Sequence, residues 1–110
     1  MSSDCIFCRI IKGESPANFI YEDEDFVVFH DTRPKAPVHV LIVPREHIES
    51  LNSLEERHSA IISSMILKAK EIARILGIDE SGYKVIINVG SGGGQIIFHL
   101  HIHLMGGWGQ

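Results

Sequence analysis

The stretch Phe98-His99-Leu100-His101-Ile102-His103-Leu104-Met105 alternates apolar residues with histidine three times in succession. Strand side chains point to opposite faces in turn. The pattern therefore predicts a strand with His99, His101 and His103 on one face, and with Phe98, Leu100, Ile102 and Leu104 packed into a core on the other. Neighbouring histidines on such a strand lie about 6.5–7 Å apart, twice the rise per residue. A merely solvated face is better served by Thr, Lys or Glu, whereas histidine titrates near neutrality and ligates metals. Two chemistries suit the arrangement. The imidazoles can hold a metal with an open coordination position, or one imidazole is a nucleophile whose neighbours set its tautomer and supply protons.

The segment before the strand, Asn88-Val89-Gly90-Ser91-Gly92-Gly93-Gly94-Gln95, narrows the choice. Its glycines let backbone N–H groups approach an anion closely, a few residues from the histidines. It lacks the Lys-Ser/Thr ending of a P-loop, so it is a different kind of phosphate site.

Working outward, Phe19-Ile20-Tyr21 and Phe26 to His30 read as strands separated by the acidic turn Glu22 to Asp25, a hairpin. Val38 to Val43 is a further strand stopped by Pro44, and Tyr83 to Val89 another. Thr32 to Pro37 holds two prolines and reads as a loop. Asp4 caps a short helix from Cys5 to Ile11, with Gly13 past its end. Ser53-Leu54-Glu55-Glu56 fits a capping box, with Ser53 at the N-cap. Ile61, Ile62, Met65, Ile66, Ala69, Ile72, Ala73 and Leu76 then recur at helical spacing as far as Gly77. The expected architecture is α+β, an antiparallel sheet covered by helix.

At 110 residues, with 45% hydrophobic and 22% charged residues, the chain has the size and balance of one globular domain, taken as residues 1–110. Ten Lys+Arg against fourteen Asp+Glu leave a net charge of −4, which disfavours a nucleic-acid polymer as partner. No apolar run approaches the roughly 20 residues of a membrane span. Met1-Ser2-Ser3-Asp4-Cys5 lacks the basic-then-apolar pattern of a signal peptide, so a cytoplasmic location is expected.

The motif His99-Leu100-His101-Ile102-His103-Leu104-Met105 resembles the His-φ-His-φ-His-φ-φ signature (φ apolar) of the histidine triad, or HIT, family. The likeness covers nearly the whole chain, through Phe29-His30-Asp31, Ala36-Pro37-Val38-His39 and Ile42 to Ile48. Asn88, Gly94-Gln95 and Gly106-Gly107 are most similar to the branch called histidine triad nucleotide-binding proteins. The resemblance implies a five-stranded antiparallel sheet with one long helix and a short N-terminal helix, paired into a homodimer. It implies binding of a purine nucleoside monophosphate such as AMP, and hydrolysis of a nucleoside phosphoramidate. By match to the motif, His101 is the nucleophile, His103 and His39 orient and tune it, and His99 is a further neighbour. Asn88, Gly94, Gln95 and the Ile97 backbone would hold the phosphate, Asp31 the ribose, and Ile10, Phe29 and His30 the base. Where members of the branch commonly carry Ser or Thr, this chain has Ile96, which removes a hydroxyl from the phosphate or leaving-group side.

The pair Cys5-x-x-Cys8 can be redox-active, metal-binding or incidental when read from its spacing. Some members of the family resembled complete such a pair with two histidines, matching His47 and His99 here, which implies a structural Cys2His2 zinc. His58 is expected on the polar side of the long helix. The short tail from Gly106 to Gln110 places Trp108 locally or against a second subunit. Rival activities are dinucleoside polyphosphate hydrolysis, metal-dependent hydrolysis at the triad, and nucleotide sensing without catalysis.

Overall fold

In the computed structural model the described residues are 4–109; Met1-Ser2-Ser3 and Gln110, on which the leader and tail expectations partly fall, lie outside them. Helix α1 is Ile6–Ile11. Strands β1 (Phe19–Glu22), β2 (Phe26–His30) and β3 (Val38–Pro44) follow, then helix α2 (Ser59–Ile75), β4 (Tyr83–Ile86) and β5 (Ile102–Gly106). The strands form one antiparallel sheet in the order β1-β2-β3-β5-β4. The expected α+β architecture, five strands with one long and one short helix, is what the chain adopts.

The two faces of the sheet carry different helices because alternate residues serve different cores. Phe26, Val28, Val40, Ile42, Ile102 and Leu104 pack with Met65, Ala69, Ile72 and Ala73 of α2. Val27, Phe29, Leu41 and Val43, one residue out of phase, pack with Phe7 and Ile10 of α1. His39 and His103 share this second phase, so the histidines emerge on the α1 side. Ile72 is wholly buried, and its truncation to Ala would cost about 2–5 kcal/mol. A polar latch ties α2 to the β1–β2 turn. Lys68 Nζ donates to Tyr21 Oη (2.7 Å) and Glu71 Oε1 (2.9 Å), and lies 3.4 Å from Asp23 Oδ2. Among the described residues, no helix is long and apolar enough to cross a membrane.

Several local expectations need correction. The histidine-bearing strand begins at Ile102, not Phe98. Its register against β3 pairs Ile42 with Ile102, so the next hydrogen-bonding pair would be Pro44 with Leu100. Arg45 N–H points to Asp25 of the β2 side, which turns the Pro44 backbone towards β5. Proline has no N–H to donate there, its carbonyl accepts from the His99 ring, and Leu100 N–H goes to Ile48 O instead. Phe98 is consequently exposed rather than in the core.

The caps differ as well. Cys5, not Asp4, caps α1, its sulfur accepting from Cys8 N–H at 3.3 Å. The capping box before α2 is formed by Glu55 and His58 rather than by Ser53 and Glu56. His58 is therefore buried, with Nδ1 accepting from Glu55 N–H and Nε2 facing Glu46 Oε2. Ile66, counted in the apolar stripe of α2, is exposed.

Candidate active site and metal-ligand cluster

The three motif histidines do not share one continuous face, because only His103 lies within β5. His101 and His103 stack edge to face, ring centroids 4.9 Å apart, while the His99 ring turns towards α1 and the segment after β3. Two clusters result.

In the first, backbone groups dictate the tautomers. Lys35 N–H donates to His39 Nδ1 at 3.0 Å, so the neutral His39 carries its proton on Nε2. That Nε2–H donates to His103 Nδ1 at 3.0 Å and lies 3.3 Å from Asp31 Oδ2. His103 is left with its proton on Nε2. His101 Nδ1–H donates to the His99 carbonyl at 2.6 Å, so Nε2 of His101 carries the lone pair.

His101 is only 7% exposed, yet among the described residues no fully buried side-chain nitrogen lacks a partner. Its unpartnered Nε2 is thus the atom that solvent reaches. Burial lowers the His101 pKa against the opposing effects of the His99 carbonyl and Asp31. Burial, then the neighbouring His101 and His39, push His103 down to about 4. Burial likewise lowers His39, against the pull of Asp31. All three are neutral at neutral pH, the form a nitrogen nucleophile needs. Phe7, which sequence reasoning missed, packs edge-on against His101 at 5.1 Å and against Phe29 at 5.5 Å. The apolar i, i+3 spacing of Phe7 and Ile10 on a short helix was its only signal.

The glycine loop precedes these histidines in a tight, internally bonded turn. Gly94 sits at φ +89°, and a Cβ there would lie 3.3 Å from Asn88 Nδ2, so only glycine fits without strain. Asn88 Nδ2 donates to Gly93 O at 2.8 Å. Gln95 is buried, its Oε1 accepting from Gly90 N–H and its Nε2 donating to Glu49 O and Ile97 O. Its amide is fully engaged in holding the loop. Ile97 N–H donates to no backbone carbonyl among the described residues, and Ile97 packs on the α1-side core beside Ile10 and Phe29. Ile96 is 84% exposed. Asp31 joins the histidines, but His30 does not. It pairs with Val40, whose side chain serves the α2 core, and it is exposed at the end of β2.

The second cluster brings together Cys5, Cys8, His47 and His99, with one donor atom from each within 4.8 Å of the others. His99 Nε2–H donates to Pro44 O at 2.8 Å, leaving Nδ1 as a lone pair aimed inward. Cys5 Sγ and Cys8 Sγ lie 3.4 and 3.7 Å from His99 Nδ1, and Cys8 Sγ is 3.3 Å from His47 Nδ1. The two imidazole nitrogens are 3.2 Å apart. For a tetrahedral ion with Zn–S near 2.3 Å and Zn–N near 2.0–2.1 Å, the ligand edges would be about 3.3 Å (N to N) and about 3.6 Å (S to N). Burial, then the hydrogen bond and charge of Cys5, push the Cys8 thiol up to about 11. A thiolate there calls for a cation beside it. The donor set and its spacing fit zinc.

A sheet with helices on both faces and a histidine motif at its centre define a class, and comparison with known proteins agrees with it. The family model described as "Scavenger mRNA decapping enzyme C-term binding" matches residues 4–107. Protein HitA of Neisseria gonorrhoeae is 47% identical over 103 residues, covering 94% of this chain and 95% of the relative. A HIT family hydrolase from Legionella pneumophila Philadelphia 1 superposes with a TM-score of 0.93 at 42% identity, covering 94% and 93% of the two chains. A histidine triad nucleotide-binding protein from Candida albicans gives 0.83 at 34% identity, covering 92% of this chain and 73% of that one. A zinc-bound histidine triad family protein from Mycobacterium smegmatis gives 0.78 at 33% identity, with 94% and 74% covered. The chain belongs to the histidine triad (HIT) family.

Proposed function

We propose that this protein is a nucleotidyl hydrolase of the histidine triad nucleotide-binding branch, cleaving the P–N bond of purine nucleoside phosphoramidates with His101 as nucleophile. The observation that carries the reading is the solvent-reached Nε2 lone pair of His101, fixed by the Nδ1–H bond to His99 O. The Legionella hydrolase and the Candida nucleotide-binding protein support the class of reaction and ligand.

In the first step His101 Nε2 forms a bond to phosphorus and the P–N bond breaks. The amine leaves with a proton taken from solvent, and the imidazolium charge on His101 faces the His99 carbonyl. His103 Nε2–H, oriented by His39, donates to a phosphoryl oxygen, as does the Ile97 N–H. The Asn88-braced turn at Gly94 and Gln95 holds that N–H in place. In the second step water attacks phosphorus, the bond to His101 breaks, and a nucleoside monophosphate and a proton are released. Ile10, Phe29 and Phe7 offer the base an apolar wall, and Asp31, beside His39, would accept from ribose hydroxyls. Incubation with adenosine phosphoramidate should yield AMP and, on rapid quenching, an adduct mapped by mass spectrometry to His101. Turnover without an adduct on His101 would sink the covalent reading; binding without turnover would favour a nucleotide sensor.

Cys5, Cys8, His47 and His99 are proposed to hold a structural zinc ion, as the zinc-bound relative suggests. With four protein ligands such an ion has no open position for water, so it tethers rather than activates. Metal analysis of reduced protein purified without added zinc should find about one zinc per chain, and its absence would remove the proposal. A homodimer is supported by the open edge of β4 and by exposed Leu67, Ile75 and Val85. Sedimentation at micromolar concentration tests it.

A further inference from the structure

The nucleophile and the four-donor cluster meet in a single residue. The ring of His99 belongs to the cluster, and its carbonyl accepts the Nδ1–H of His101 at 2.6 Å. No sheet ladder holds this segment, because β5 starts at Ile102. What fixes the carbonyl is the His99 ring, bonded to Pro44 O, and the neighbouring Leu100 N–H, bonded to Ile48 O at 2.6 Å. Those two acceptors flank His47, the other imidazole of the cluster. The ligand set and the supports of the nucleophile are therefore one short stretch of chain on each side.

An imidazole whose Nδ1–H has lost its acceptor exchanges its proton between nitrogens through solvent, and the Nε2–H form has no lone pair to offer phosphorus. Resting on the zinc and nucleophile readings above, we infer that His99 is a positioning residue that couples the two clusters. With its ring ligated beside Cys5, Cys8 and His47, its carbonyl holds His101 in the Nδ1–H tautomer. Without ligation the peptide loosens and the nucleophile becomes tautomerically mixed. Occupancy of the metal cluster thereby sets the fraction of chains competent to attack.

The test is nitrogen NMR of 15N-histidine-labelled protein, reduced and near neutral pH, zinc-loaded and chelator-stripped, with zinc measured on the same samples. His101 signals are assigned by their loss in His101→Ala. The loaded protein should show the Nδ1-protonated form alone, and the stripped protein a mixture. kcat should fall about ten- to a hundredfold on stripping and recover with zinc. The tautomer readout needs no substrate, so a wrong substrate assignment leaves it intact. Absence of bound zinc would overturn the zinc reading and the coupling together. Zinc bound, with an unchanged His101 tautomer after removal, overturns the coupling alone.

Because stripped protein can unfold, hydrogen exchange on His47→Gln and His47→Cys provides a second reading. The glutamine variant, with three ligands left, should lose protection at Leu100, whose N–H bonds Ile48 O, while Val40 and Ile42 keep theirs. The cysteine variant, with four ligands, should behave as the wild type does. Uniform loss of protection across the sheet in His47→Gln would make the cluster a general staple and overturn the proposal.

Discussion

The two histidine clusters use the same side chain for opposite ends. Around His101 backbone groups set the tautomers, at His39 through Lys35 N–H and at His101 through the His99 carbonyl. His39 in turn fixes His103, and the His101 Nε2 is left open to solvent. Around His99 the outward nitrogen is taken by Pro44 O, and the inward one meets two sulfurs and another imidazole, closing the set. Which atom the backbone engages, rather than the residue type, separates a reactive group from a structural ligand. An open nitrogen offers chemistry and a closed set offers strength.

The contrast breaks most sharply at His101. His101→Ala should lower kcat by more than about a thousandfold, since the covalent path is lost. Bound zinc, thermal midpoint and affinity for AMP should change little. Cys8→Ser should do the reverse, losing stoichiometric zinc and lowering the midpoint by roughly ten degrees. Its loss of turnover should be far smaller than that of His101→Ala. Equal losses of activity and stability in both variants would erase the distinction between the clusters.

The pH response sharpens it further. His103 stands at about 4 in the folded protein, and burial also lowers His101 and His39. kcat/KM should therefore hold through the range near 6.5 where an ordinary histidine protonates. Below pH 4 it should fall about tenfold per unit, because protonated Nδ1 can no longer accept from His39. An ordinary histidine would place that fall near 6.5. The same depression makes stability decline as pH falls from about 6.5 towards 4, the window in which the unfolded chain binds more protons.

Asp23 lies outside both clusters and provides the control. Burial alone would raise its carboxyl, but bonds from Asp25 N–H, Phe26 N–H, Tyr21 and Lys68 outweigh burial and bring it down to about 2. Its contribution to stability is complete above the unfolded value near 3.8 and is lost as pH falls through 2. Asp23→Asn should destabilise by about 1 kcal/mol, moderated by partial exposure, in denaturant melts near pH 7. Zinc content and the His101 tautomer should be untouched.

Much of this was legible in one dimension. The alternation from Leu100 to Leu104 fixes which residues enter the α2 core, and the apolar runs place four strands and the long helix. What escaped depends on partners distant in sequence. Nothing near Leu100 says that its ladder partner would be a proline 56 residues earlier, so the alternation alone predicts a longer strand than the chain forms. The Ser53–Glu56 box is the better local pattern, yet burial of His58 against Glu46 selects Glu55 and His58 instead. The separate fate of His99 followed from resemblance; its spacing alone placed it with its neighbours. The engaged amide of Gln95 likewise emerges only from carbonyls at Glu49 and Ile97.

Pro44 has a consequence beyond ending a ladder. A sheet edge recruits any extended neighbour with free donors and acceptors, and the segment entering β5 is such a neighbour. By presenting a ring where an N–H would be, Pro44 keeps the sheet from absorbing the residues that its own chemistry depends on. A β-branched residue there would extend regular structure by a rung and take Pro44's carbonyl from the His99 ring. In this fold reactivity survives because regularity is stopped one residue short of it.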